Sequence, residues 1–446
     1  MPKLLSIVLA LLVSGCTSYG VVQNKPLPPG DQDARAYSLV AGNDSPRNQN
    51  IALILAFSGG GTRAAALAYG VLQELRDTRI TIEGREERLL DEVDVISSVS
   101  GGSFTSAYFG LYGDRIFDDY EEAFLRKNVQ GALIRGLLNP ALWFSSAGRT
   151  EMAVQFYEKN VFGDATFGDL EKRRDAPLVL INASDLGYGV RFSFVQEYFN
   201  LLCSDISTFP VARAVTASSA VPVLFNPVVV QNYPDCKDGE RPEWLVAAEA
   251  RAQGNPDLRQ VVSGLGTYFD AERRKYAHFV DGGITDNLGL RAIYEVIEVA
   301  GGIKTFQGKY NRKPPSHAVL ISVNASTDPE PDMDLSSRQP SLVETASAMS
   351  DVQLHRYNAA TLELMESSLR RWAKQLSTQS REVTAHFVQV DFRDIEDAEQ
   401  RRFFNRIPTS FNLADEEVNS LILAGRELLR TNPEFQRFLS ELEGLR

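Results

Sequence analysis

Residues 93 to 104 read VDVISSVSGGSF, and Ser100 sits where an apolar run ends against two glycines. A serine hydroxyl can attack acyl carbonyls when a tight strand-to-helix turn exposes it and small neighbours leave room for the helix that follows. Such an elbow is usually Gly-x-Ser-x-Gly. Here the frame is Ser98-Val99-Ser100-Gly101-Gly102, with another small residue in the first position. The nucleophile requires a base, and HFVDGGITDNLGL supplies Asp281 at the end of a second apolar run, with Gly282 and Gly283 behind it. A carboxyl group titrates near about 3.9 in water, and burial beside a hydroxyl raises that value toward useful basicity.

Donors for a tetrahedral oxyanion are the third requirement. Ser58-Gly59-Gly60-Gly61-Thr62-Arg63 follows the apolar run IALILAF and opens a helical pattern carried by Leu67, Val71 and Leu75. Backbone N–H groups in such a loop converge on negative charge with the positive end of the helix behind them. The loop matches neither G-x-x-x-x-G-K-[ST] nor G-x-G-x-x-G, so nucleotide binding has little motif support. Taken singly, each of these stretches also reads as an ordinary glycine turn.

His278 precedes Asp281 by three residues on the same run, so the two side chains face opposite ways and His278 reads as structural. Asp286 and Asn287 read as ordering the loop after Asp281. The four histidines, His278, His317, His355 and His386, are scattered and no Cys-x-x-Cys occurs, so no metal or other cofactor is expected.

Positioning these groups takes a sheet. IALILAF (51–57), VDVISSV (93–99), PLVLINA (177–183), HAVLISV (317–323) and AHFVQVDF (385–392) have strand length, and helical patterns separate them. An α/β fold with a mostly parallel central sheet is expected. Leu362, Met365, Leu369, Trp372 and Leu376, at spacings of three and four, predict a late helix. The folded domain begins at Ile51, because residues 17 to 50 carry KPLPPGDQ and GNDSPRNQN and read as a flexible tether. A catalytic domain is expected over 51–325, with 326–446 as a C-terminal extension of mixed helix and strand packing on it. Two segments interrupt the alternation: GALIRGLLNPALWFSS (131–146), either core or a lid or lipid-facing surface, and 228–276, an insertion and candidate lid.

At the start, MPKLLSIVLALLVSGC sets Lys3 ahead of the apolar stretch Leu4 to Val13, which reads as a signal peptide over residues 1–15 and is too short to span a bilayer comfortably. Val13-Ser14-Gly15-Cys16 looks like a bacterial lipobox, in which Cys16 is acylated and becomes the mature N-terminus. The expected location is therefore the bacterial cell envelope, on a lipid bilayer through that anchor. Thr17 is similar to the residue found there in lipoproteins sorted to an outer membrane. Cys203 and Cys236 remain, either as a disulfide in an oxidising compartment or as two buried thiols.

A chain of 446 residues that is 43% hydrophobic can bury a large core, which excludes general disorder. A net charge of -12 without a run of Lys or Arg argues against a nucleic-acid partner and favours a neutral or zwitterionic substrate.

The blocks GGGTR, SVSGG and DGG, in that order, resemble the patatin-like phospholipase family. ARAVTASSAVPVLFNPV (212–228) looks like that family's Ala-Ser-x-Ala-x-Pro-x-x-Phe-x-Pro segment, with Ala217, Ser218, Ala220, Pro222, Phe225 and Pro227 in place. The resemblance covers roughly residues 51 to 290 and implies a patatin-like three-layer α/β/α sandwich. It also implies a Ser-Asp dyad, with Ser100 as nucleophile and Asp281 as general base. Gly59, Gly60 and Gly61 match the oxyanion loop and Arg63 its basic position; Ser98, Gly101 and Gly102 support the elbow, and Gly282 and Gly283 form the base loop. The chain departs at Ser58, where the family often has Asp, and at Ser98, where it often has Gly. The implied activity is cleavage of ester bonds in phospholipids or related lipids through an acyl-enzyme. The same chemistry on a soluble ester, lysophospholipid, neutral glyceride or thioester is the nearer alternative. A non-catalytic envelope lipoprotein on the same fold is the other, and the intact Ser100, Asp281 and glycine loop argue against it.

Overall fold

The apolar runs form β1 (Ile51–Phe57), β2 (Val93–Val99), β3 (Leu178–Asp185), β4 (Val190–Ser193), β5 (Val228–Gln231), β6 (Tyr276–Val280), β7 (His317–Asn324) and β8 (Thr384–Asp391) of one eight-stranded sheet. The structure is a computed structural model that describes residues 20–27, 36–39, 47–82, 84–129, 131, 148–222, 224–234, 236, 241–309, 313–328 and 332–443. The signal peptide, Cys16, most of the tether and residues 132–146 of the GALIRGLLNPALWFSS segment fall outside the described residues.

The strand order is β8-β7-β1-β2-β3-β6-β5, with β4 paired to β3 off that path. From β8 to β3 every pairing is parallel, whereas β3 pairs antiparallel with β4 and β6, and β6 antiparallel with β5. Parallel strands are buried on both faces, which is why they read as nearly unbroken apolar runs. Leu53, Leu55 and Phe57 of β1 enter one core with Val319, Ile321 and Val388. Ala56 enters a second core with Leu320.

Nine helices are used below: α1 (Gly61–Asp77), α2 (Gly101–Tyr112), α3 (Val211–Ser218), α4 (Glu243–Arg251), α5 (Pro256–Gly266), α6 (Leu290–Val299), α7 (Leu342–Leu376), α8 (Asp415–Thr431) and α9 (Pro433–Glu443). The first core takes Leu67 of α1, Phe104 of α2, Leu421 of α8 and Phe438 of α9. The second takes Ile293 of α6 and Met365, Leu369 and Trp372 of α7. The result is a three-layer α/β/α sandwich.

Two boundaries look different in three dimensions. Residues 326–446 supply an edge strand of the sheet, β8, as well as α7, α8 and α9. The segment 228–276, read as an insertion, contributes the opposite edge strand β5 together with α4 and α5, and the Cys203–Cys236 disulfide fastens it to the turn after the helix Gln196–Leu201.

One detail of register positions the site. Asn182 of β3 pairs with Val99 on one side and Ser193 on the other, and Ser184 pairs with Val280 and with Arg191. Therefore β2 and β6 lie along the same edge of β3 and run toward each other. The residues that follow them, Ser100 and Asp281, meet where the two strands end.

Candidate active site

Ser100 leaves β2 with φ 50 and ψ -120 and is the N-cap of α2. For a residue with a Cβ this conformation costs about 1–3 kcal/mol and persists only where the surroundings impose it. The imposing contact is close: a Cβ on Gly101 would stand 1.9 Å from the carbonyl oxygen of Gly61. The first residues of α1 and α2 thus touch beside Ser100, and both positive helix ends face the same spot.

The hydroxyl of Ser98 occupies the space that a glycine leaves empty in the usual elbow. It donates to the carbonyl of Leu180 at 3.2 Å and accepts from Ser106 Oγ at 2.6 Å, so the buried oxygen is satisfied. Gly102 fits against Phe57, where a Cβ would come within 2.7 Å of the phenylalanine Cβ.

Ser100 Oγ donates to Asp281 Oδ2 at 2.8 Å. The other carboxylate oxygen accepts from the N–H of Gly283 at 2.8 Å. The backbone of this loop is pinned as well, with Asp281 N–H donating to Ala220 and Gly282 N–H to Ser218, each at 3.0 Å. Burial pushes the Asp281 carboxyl up to about 6, against the opposing pull of the Gly283 and Ser100 hydrogen bonds.

The three glycines of the first loop are not equivalent. Gly59 N–H donates to the carbonyl of Asn287 at 2.9 Å, whereas the N–H groups of Gly60 and Gly61 have no acceptor among the described residues. Those two are the available donors at the start of α1. Arg63 does not face the dyad. Its buried guanidinium donates to the carbonyls of Ala325 (2.8 Å) and Ile407 (2.5 Å) and to Thr409 Oγ1 (2.9 Å), fastening the loop to the chain after β7 and to residues 407–409. Burial lowers its pKa to about 10.

His278 is exposed on β6, and among the described residues no histidine hydrogen-bonds to Ser100 or Asp281. Partial desolvation of its ring, and then the nearby Arg274 charge, lower its pKa. Asp286 is buried and accepts from the N–H of Ala292 at 2.9 Å. Asn287 holds Gly59 through its carbonyl and Ser326 Oγ through its amide at 3.2 Å.

The sequence places Ser218 in the family's Ala-Ser segment without giving it a role, and it does not single out Asn182. Ser218 Oγ accepts from Ser100 N–H at 2.8 Å and donates to the carbonyl of Asn182 at 2.6 Å. The Asn182 side chain ties Ser97 Oγ (3.0 Å) and the Ser98 carbonyl (3.1 Å) to Ser193 and Arg191, and Arg191 pairs with Glu295 at 2.8 Å. The available signal was a polar residue inside the apolar run PLVLINA, since buried polar groups require partners.

The convergence of β2 and β6 on one hydroxyl places the chain in the class of α/β folds built around an elbow serine. Within that class it belongs to the patatin-like phospholipase family, whose family model matches residues 55–294. No curated protein matches the chain. Among solved structures, human GIVD cytosolic phospholipase A2 is similar at 13% identity with a TM-score of 0.46, over 96% of this chain and 66% of that one. The same human enzyme in complex with methyl gamma-linolenyl fluorophosphonate is similar at 12% identity with a TM-score of 0.43, over the same shares of both chains. This chain therefore spans just under two thirds of the length of those structures.

Proposed function

We propose that this protein is a serine lipid acyl hydrolase that cleaves ester bonds of phospholipids or related lipids through a Ser100–Asp281 dyad. The observation that carries the reading is the 2.8 Å hydrogen bond from Ser100 Oγ to a buried carboxylate, made by a serine in an elbow conformation. Family membership supports the lipid acyl ester as substrate class. Exposed Leu224 and Ile284, within a few residues of Ala220 and Asp281, give an acyl chain apolar surface to approach.

In this mechanism Ser100 Oγ attacks the acyl carbonyl carbon as its proton passes to Asp281 Oδ2. The N–H groups of Gly60 and Gly61 take the oxyanion, backed by the positive end of α1. Collapse of the intermediate expels the alcohol, which receives the proton from Asp281. Water then gives its proton to Asp281 and attacks the acyl-serine, and the returning proton restores the Ser100 hydroxyl. A carboxyl that titrates near about 6 is a better base than an ordinary aspartate and is ionised at neutral pH.

The test is labelling by a fluorophosphonate together with turnover of a panel of phospholipids and simple esters, for wild type and Ser100→Ala. Wild type should be labelled at Ser100 and release fatty acid, and the variant should do neither; equal behaviour of the two proteins on every substrate sinks the proposal. We also propose that Cys16 anchors the protein to a bilayer of the bacterial cell envelope, a reading that rests on the N-terminal sequence. The Cys203–Cys236 bond suits an oxidising compartment. Release of Cys16→Ser protein from membranes would support the anchor, and unchanged membrane association would refute it.

A further inference from the structure

Two of the four histidines that look scattered in sequence meet in the fold. His317 opens β7 and His386 is the third residue of β8, two parallel neighbours in which His386 pairs with Val319, so both rings lie on the face covered by α9. This is the end of the sheet opposite Ser100, because β7 and β8 run parallel to β1 and β2 and the dyad lies at the ends of the strands. Both histidines are buried, and Glu441 of α9 reaches them from the half-exposed side. Among the described residues these three form the group of metal-ligating side chains whose ligand atoms all converge.

The distances have the dimensions of a coordination site. His317 Nδ1 and His386 Nε2 are 3.2 Å apart, His386 Nε2 and Glu441 Oε2 are 3.3 Å apart, and His317 Nδ1 and Glu441 Oε2 are 3.9 Å apart. A tetrahedral ion held at ~2.0–2.1 Å places its ligand atoms about 3.4 Å from one another. His386 Nδ1 stands 3.0 Å from Glu434 Oε1, and donation to that carboxylate leaves Nε2 of the neutral ring with the lone pair that a metal requires. His386 Nε2 faces Glu441 Oε2 at 3.3 Å and His317 Nδ1 at 3.2 Å, so the three ligand atoms converge on one point that a cation can occupy. The outer shell is that of a metal-binding histidine, with one ring nitrogen fixed by a carboxylate and the other directed inward. Arg437 donates to Glu434 Oε1 at 2.5 Å and lies 3.9 Å from Glu441 Oε1 and 3.4 Å from His386 Nδ1. Two carboxylates, one guanidinium and two neutral rings sum to one negative charge, which a divalent cation more than balances.

We propose that His317 Nδ1, His386 Nε2 and Glu441 Oε2 bind one divalent transition-metal ion, with zinc as the best match to two imidazoles and a carboxylate and with water completing the coordination from the solvent side. The ion clamps α9 to β7 and β8 and takes no part in chemistry at Ser100. The site is independent of the hydrolase reading.

Full-length protein stripped with EDTA and titrated with Zn²⁺ by calorimetry should bind one ion per chain, and thermal unfolding should shift upward as zinc is added. Glu441→Gln should weaken binding at least about tenfold, and Glu434→Gln, which removes only the orienting carboxylate, by about 10–100-fold. Co²⁺ should give the visible absorption of a tetrahedral site in wild type and lose it in Glu441→Gln. If His386→Gln fails to fold, Glu441→Gln decides, because Glu441 is only partly buried and can be replaced without opening the core. Absence of stoichiometric binding by wild type overturns the proposal and leaves His317 and His386 as a hydrogen-bonded pair of rings beside two glutamates. Binding as strong as that of wild type in both Glu441→Gln and Glu434→Gln overturns it equally, by placing the ion elsewhere.

Discussion

The side chain of Ser218 holds the backbone of Ser100: its oxygen accepts the Ser100 N–H at 2.8 Å while its own proton goes to the Asn182 carbonyl at 2.6 Å. The elbow is thereby tied to β3 one residue beyond Val99–Asn182, the last pair of the β2–β3 ladder. Ser218→Ala leaves a buried N–H without an acceptor, at a cost of about 1–3 kcal/mol in stability. Because a small displacement of a nucleophile costs up to about a hundredfold, kcat should fall toward that extent with KM little changed. Steady-state kinetics and urea unfolding of the variant check this, and an unaltered kcat would remove Ser218 from the site.

Ser98 departs from the elbow pattern, yet its hydroxyl is fully satisfied between Leu180 and Ser106. Ser98→Gly keeps the turn open but removes that bond, while Ser106 retains the carbonyl of Ser103 at 3.2 Å. A loss of about 1–2 kcal/mol in stability with only a small change in rate is expected. Ser98→Val should be much worse, since the space beside Ser106 holds a hydroxyl and nothing larger; a valine variant with normal stability and activity would contradict this packing.

The parallel strands were legible because each is apolar on both faces, and Ser100, Asp281 and Gly60–Gly61 were legible because each lies where an apolar run breaks into glycine. What decided their meeting was not local. β2 and β6 face each other only because β3 pairs parallel with one and antiparallel with the other, and no periodicity within either strand encodes that choice. Arg63 carries a charge in a loop expected to receive an anion, yet its long side chain turns to carbonyls at residues 325 and 407, far away in sequence. His317 and His386 were read as scattered for the same reason: they are 69 residues apart and become neighbours through the parallel pairing of β7 with β8.

Arg63 should act on the glycine loop through position rather than charge. Arg63→Met strips donors from the carbonyls of Ala325 and Ile407 and from Thr409, for a loss of roughly 3 kcal/mol or more. Lysine cannot reach all three acceptors from one point charge, so Arg63→Lys should recover little. Fluorophosphonate labelling of Ser100, measured where both variants are still folded, should be slowed in each; labelling at the wild-type rate would show that the loop keeps its shape without the clamp.

Asp281 links activity and stability in opposite directions. As the base it must be ionised, so kcat should rise with pH through about 6 and level off above it. Its folded value lies above the ordinary aspartate value of about 3.9, so the folded state holds this proton more tightly than the unfolded chain does. Below about pH 4 the group favours neither state; as pH rises from about 4 to 6 its burial costs stability, up to about 3 kcal/mol for a shift of roughly two units, and the loss persists at neutral pH. Asp281→Asn should therefore abolish turnover yet unfold at a higher temperature than wild type at pH 7, with the advantage vanishing near pH 4. Thermal melts of the two proteins across that range, beside a pH–rate profile of wild type, check both halves. A rate that does not change between pH 4 and 8, or an asparagine variant that keeps wild-type turnover, would take the base role away from Asp281.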